Sequence, residues 1–205
     1  MRQFSLLLIA LLALAMLGGC AQPATNAPAA DEPDQGTVID PPVQLTDFAL
    51  PSSRGGETIA LSDLGGAPTL LFFGYTFCPD VCPTTLSEFK RAKELLGSEG
   101  EAAHFVFISV DGERDTPERL ARYLQAFDPG FVGLQGDEAT LRRIGKEYGL
   151  YYEQREVEGT SAAYLIDHSA AAYLIDGQGR LRMVYGYGTP PDVLASGVRR
   201  LMQEG

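Results

Sequence analysis

The stretch Thr69–Thr85 reads TLLFFGYTFCPDVCPTT, and its first half decides the fold. Thr69–Tyr75 is a continuous apolar run after Gly-Gly-Ala-Pro, the pattern of a strand buried on both faces. The second half changes character. Pro83 lacks an N–H and fits only the first turn of a helix, so a helix has to open near Asp80–Pro83. Helical spacing then continues through Leu86, Phe89, Ala92, Leu95 and Leu96. Cys78 and Cys82 therefore straddle a loop that leads from a buried strand into a helix N-terminus, where the helix dipole favours the thiolate.

Working outward, strands and helices alternate. His104–Val110 (HFVFISV) repeats the buried-strand pattern, and Thr116 with Pro117 behind it caps a helix reaching about Phe127. Phe131–Leu134 reads as a short strand and Asp137–Tyr148 as an amphipathic helix. Ala171–Ile175 and Arg180–Tyr187 flank Asp176-Gly177-Gln178-Gly179, a β-hairpin signal, and Pro190–Met202 reads as a closing helix. Mixed βαβ and hairpin units of this size predict an α/β three-layer sandwich with a central mixed sheet flanked by helices. The hexapeptide AAYLID occurs at Ala162–Asp167 and again at Ala171–Asp176. Two copies make no solenoid and read as neighbouring short strands. His168 lies between them.

The N-terminus is of another kind. Residues 1–19 combine Arg2, the apolar run Leu6–Leu17 and Gly18-Gly19, as a secretory signal does. L-G-G-C resembles the lipobox of bacterial lipoproteins, which makes Cys20 the expected lipidated first residue of the mature chain. Residues 20–42 contain five prolines and no aromatic residue, and are expected to form a tether, with residues 43–205 as the folded domain. This arrangement predicts an extracytoplasmic protein anchored to a bacterial membrane. A formal charge of −11 over 205 residues argues against nucleic acid as a partner.

Of three cysteines, Cys20 is assigned to the anchor, leaving Cys78 and Cys82 as the free thiols of an exported protein. Their spacing is C-x3-C, one residue longer than the thioredoxin-type C-x2-C. No proline lies between Pro129 and Pro190, so the turn before Ala171–Ile175 lacks the cis-proline that thioredoxin-like oxidoreductases place opposite their cysteines. That turn instead carries His168, one of two histidines in the chain. Taken alone, a histidine at a strand end is ordinary. Beside two thiolates it completes a soft donor set that suits Cu(I) or zinc and rejects oxygen-loving cations. Structural zinc takes four ligands, and no fourth Cys or His is apparent. A disulfide between Cys78 and Cys82 would close too small a loop to stabilise much. His104 has no cysteine near it in sequence, and Met183 and Met202 are isolated.

F-G-Y-T-F-C-P-D-V-C-P-T-T, S-V-D-G-E-R-D-T-P at Ser109–Pro117, and Y-L-I-D-H-S at Tyr164–Ser169 occur in this order, and the chain from Val43 to Met202 resembles the SCO/SenC family. The resemblance implies a thioredoxin-like fold and a protein that assists assembly of cytochrome c oxidase. It implies copper, as Cu(I), Cu(II) or both, held by Cys78, Cys82 and His168. Asp111 and Asp115 match acidic positions of the family and, with Asp80, are expected to support the site without ligating. Gly112 stands where a proline is common in the family, and a predicted lipid replaces the transmembrane helix of many relatives. The implied function is a copper metallochaperone serving oxidase subunit II, with another copper chaperone or a thiol reductant as further partners. Two other readings stay open. One is a thiol–disulfide oxidoreductase that keeps the oxidase cysteines reduced through Cys78 and Cys82. The other is a copper or redox sensor.

Overall fold

A computed structural model describes residues 36–156 and 164–204. The apolar run becomes β4 (Thr69–Gly74), with all six residues buried. It pairs in parallel with β5 (His104–Ser109), and β5 with β6 (Val132–Gln135). On its other side β4 pairs antiparallel with β9 (Ala172–Ile175), β9 with β10 (Arg180–Tyr185), and β10 with β1 (Thr37–Gln44). The sheet thus runs β1-β10-β9-β4-β5-β6, and the cysteine-bearing loop grows from a strand bonded on both edges. This is the mixed α/β sandwich expected from the sequence.

Successive side chains of β4 point to opposite faces. Phe72 meets Phe89 of α1 (Val81–Leu96) edge-on at 6.4 Å, while Phe73 meets Tyr148 of α4 (Glu138–Tyr148) at 5.1 Å. Helices therefore cover the sheet on both sides. α1 is followed by the short α2 (Ser98–Ala102), and α1 packs against the closing α5 (Pro191–Glu204). α3 (Pro117–Gln125) lies on β6. It begins as expected: Thr116 accepts the Arg119 N–H at 3.4 Å, with Pro117 at the first helical position. Asp137 caps α4 through the Thr140 N–H at 2.9 Å.

Some elements carry too little pattern to be read in advance. β1 begins at Thr37, within the segment expected to be tether, and nearly all its side chains are exposed. An edge strand held by backbone pairing needs no alternation, and it tolerates Pro41 and Pro42. β2 (Ala49–Pro51) and β3 (Thr58–Ala60) form a small hairpin. A second hairpin joins β7 (Tyr152–Glu156) to β8 (Tyr164–His168) and belongs to no larger sheet. The described part of the first copy, Tyr164–Asp167, thus falls in this hairpin and the second copy in the central sheet. Among the described residues no helix is long and apolar enough to cross a membrane. Cys20, the signal segment and most of the tether lie outside the described residues.

Candidate metal centre

β4 ends at Gly74, and its end leads into the cysteine loop. Cys78 donates its backbone N–H to the Tyr75 carbonyl at 3.2 Å, closing a turn that lifts its sulfur above the sheet. Cys82 is the second residue of α1 and is fully buried. The room for its sulfur comes from Gly74: a Cβ there would stand 2.8 Å from Cys82 Sγ and 2.7 Å from the Phe107 ring.

His168 ends β8 and leans over the same point. Its ring meets Phe72 and Tyr75 edge-on, with centroids 5.9 and 5.8 Å away. Nδ1 lies 2.9 Å from the Ser169 carbonyl, which can only accept, so the proton sits on Nδ1. Nε2 is left facing Cys82 Sγ at 3.5 Å. The donor atoms of Cys78, Cys82 and His168 all lie within 4.8 Å of one another. A trigonal shell with metal–sulfur and metal–nitrogen bonds of about 2.3 and 2.0 Å sets its donors roughly 4 Å apart, so the three fit one ion without rearrangement of the fold. An imidazole nitrogen with two sulfurs is a donor set for a soft ion.

The two thiols are not equivalent. The Cys82 thiol beside it stabilises the Cys78 thiolate against the opposing effect of burial. His168 and the backbone N–H groups of Asp80 and Cys82 add to this, and hold Cys78 down to about 4. The Cys82 N–H reaches its sulfur at 3.4 Å. Burial, and then the neighbouring Cys78, push Cys82 strongly upward. Deprotonation is therefore favoured at the partly exposed Cys78 and opposed at the buried Cys82, and a bound cation would lower the cost of the second thiolate.

The other predicted residues stand one layer out. Asp80 is exposed and its side chain makes no capping bond, so its contribution is its backbone N–H. Asp115 is fully buried and accepts from the Thr76 N–H at 2.9 Å, the Thr76 hydroxyl and Ser109 Oγ at 2.7 Å. Burial lifts its carboxyl above the usual range despite those bonds. It ties the cysteine loop to the end of β5. Asp111 takes Arg114 Nε at 2.6 Å and the Tyr164 hydroxyl at 2.8 Å. Neither aspartate belongs to the donor group. His104 opens β5 opposite Thr69, at the far end of β4.

Sequence reasoning overlooked Tyr75, Arg114, Arg119 and Tyr164. Tyr75 Oη accepts the Ile166 N–H at 3.2 Å, tying β8 down. Arg119 lies over the Phe77 ring at 4.0 Å and donates to Thr76 Oγ1 at 2.9 Å. The available signal was position: Arg114 follows Asp111 by three residues, and Arg119 follows Asp115 by four.

A model of the SCO1/SenC family matches residues 39–203. The chain belongs to this family. The SCO2-like protein of Rickettsia felis is 34% identical over 149 residues, 72% of each chain. Among solved structures, Bradyrhizobium japonicum ScoI with copper bound is 36% identical. That match covers 78% of this chain and 99% of that one, with a TM-score of 0.70. Apo Sco1 from Thermus thermophilus is 37% identical and covers 82% and 96%, with a TM-score of 0.71. As a SCO1/SenC member the chain has the thioredoxin-like architecture of these structures.

Proposed function

We propose that this SCO1/SenC protein carries copper on Cys78, Cys82 and His168 and hands it to the binuclear copper site of cytochrome c oxidase subunit II. The observation that carries the reading is the convergence of two sulfurs and a free imidazole nitrogen within 4.8 Å. Family membership and a copper-bound relative of 36% identity support it. Three donors, two of them partly exposed, suit an ion that is to be passed on by ligand exchange. The signal-like leader and Cys20 favour a lipid-anchored protein on the outer side of a bacterial membrane.

The test is a titration of the reduced full chain with Cu(I) against a competing chelator. Loss of a group that merely orients a ligand costs about 10- to 100-fold, so His168→Ala, which removes a ligand itself, is expected to weaken binding by more than about tenfold. Copper transfer to apo subunit II is expected to fail in the same variant. Transfer that survives it would remove the mechanism.

The low value of Cys78 favours a second activity at the same place, thiol–disulfide exchange. Because that value lies below an ordinary thiol's, Cys78 is thiolate at neutral pH and loses reactivity as pH falls through about 4. Alkylation followed by mass spectrometry across that range is expected to label Cys78 and spare Cys82. If reduction of a model disulfide persists in His168→Ala while copper affinity is lost, both activities reside here. If His168→Ala leaves copper affinity unchanged, exchange becomes the leading function.

A further inference from the structure

The donor set is assembled from two bodies. Cys78 stands on the loop between β4 and α1 and Cys82 in the first turn of α1, both carried by the six-stranded sheet, while His168 ends a hairpin that pairs with no strand of it. Something has to hold the hairpin in register with the loop. Arg114 touches both. Its guanidinium carbon lies 3.5 Å from the centroid of the Tyr164 ring, on the hairpin, and 4.4 Å from that of Phe77, the neighbour of Cys78. Its Nη1 donates to the Tyr164 carbonyl at 3.0 Å, and its Nε to Asp111 at 2.6 Å. Asp111, itself nearly fully buried, also takes the Tyr164 hydroxyl at 2.8 Å.

We propose that Arg114 is a positioning residue for the donor set: laid between Phe77 and Tyr164 and fixed by Asp111, it keeps His168 over the two sulfurs. The role needs a flat cation. A guanidinium stacks on rings with its faces while its edge donates in two directions, which an ammonium does not do. Only 17% of the Arg114 side chain is exposed, so the contacts are poorly screened by solvent. The consequence for copper rests on the proposed ligand set, whereas the clasp between hairpin and loop stands on geometry alone.

Hydrogen exchange of the full chain without copper tests the clasp. In Arg114→Ala the β8 amides, Ile166 among them, are expected to exchange about 10- to 100-fold faster, the weight of a charged hydrogen bond, with β4 and β5 amides unchanged. Cu(I) competition then compares Arg114→Ala, His168→Ala and the double variant. The loss in Arg114→Ala should approach that in His168→Ala. The double variant should lose no more than His168→Ala alone, since an absent histidine needs no positioning. Arg114→Lys keeps the charge without the stack; it is expected to fall between wild type and alanine, and it carries the same test if the alanine variant does not fold. Unchanged exchange in β8, or losses that multiply in the double variant, would overturn the proposal. If His168→Ala costs no affinity, the copper reading fails and the exchange result alone decides for or against Arg114.

Discussion

Tyr-Leu-Ile-Asp at positions 164–167 and the same four residues at 173–176 live in different surroundings. The second copy lies in β9, bonded to β4 on one edge and β10 on the other, and all three of its apolar residues are buried. The first lies in β8, paired only with β7, and only Ile166 is fully buried. Tyr173 is sealed against Phe73 and Tyr148, whereas Tyr164 lies under a guanidinium. Asp176 is buried and takes Arg180 at 2.8 Å and Arg182 at 3.3 Å, while Asp167 meets Arg155 at 3.2 Å in the open. An identical segment thus becomes core in one place and the support of His168 in the other. The number of strands beside it decides which.

Matched substitutions break or sharpen the comparison. Tyr173→Ala removes a fully buried ring and is expected to cost about 3–5 kcal/mol in urea unfolding. Tyr164→Ala is expected to cost about 1 kcal/mol in the same measurement and to act chiefly on the hairpin. Equal losses would mean that the hairpin is as integral as the sheet. Asp176→Asn comes next, at about 2 kcal/mol, since it weakens charged bonds to two arginines.

Burial works to raise Asp176, but bonds from Arg180 and Arg182 and the Gln178 and Arg180 N–H groups leave it below the ordinary carboxylate value. Its contribution is therefore complete above an unfolded value of about 3.9 and is lost as pH falls through the lower folded value. Stability curves of wild type and Asp176→Asn should converge on acidification. If they stay parallel down to pH 2, the pairing is not what holds the turn. The smallest effect belongs to Asp167→Asn, below about 0.5 kcal/mol, because an exposed pair is screened.

The same contrast explains what the sequence revealed. β4, β5 and α1 were legible because burial on both faces and helical spacing leave strong patterns. The convergence of Cys78, Cys82 and His168 was legible because few residue types offer soft donors. β1 and β7 were not, since an exposed edge strand is held by backbone bonds that any residue supplies. Arg114 was hidden for a related reason. An arginine beside aspartates reads as a solvated surface pair until Phe77 and Tyr164 are brought to its two faces by distant parts of the chain.

Gly74 has a consequence in time as well as in space. Because strand β4 makes room for Cys82 Sγ beneath the surface, the two sulfurs of the motif differ in access, one half-exposed and the other at 0%. Under the proposed function, an incoming thiolate would meet the partly exposed Cys78 before the buried Cys82. On the proposed transfer, access alone would set an order, the outer sulfur being the first that an incoming donor can reach and the inner one the last.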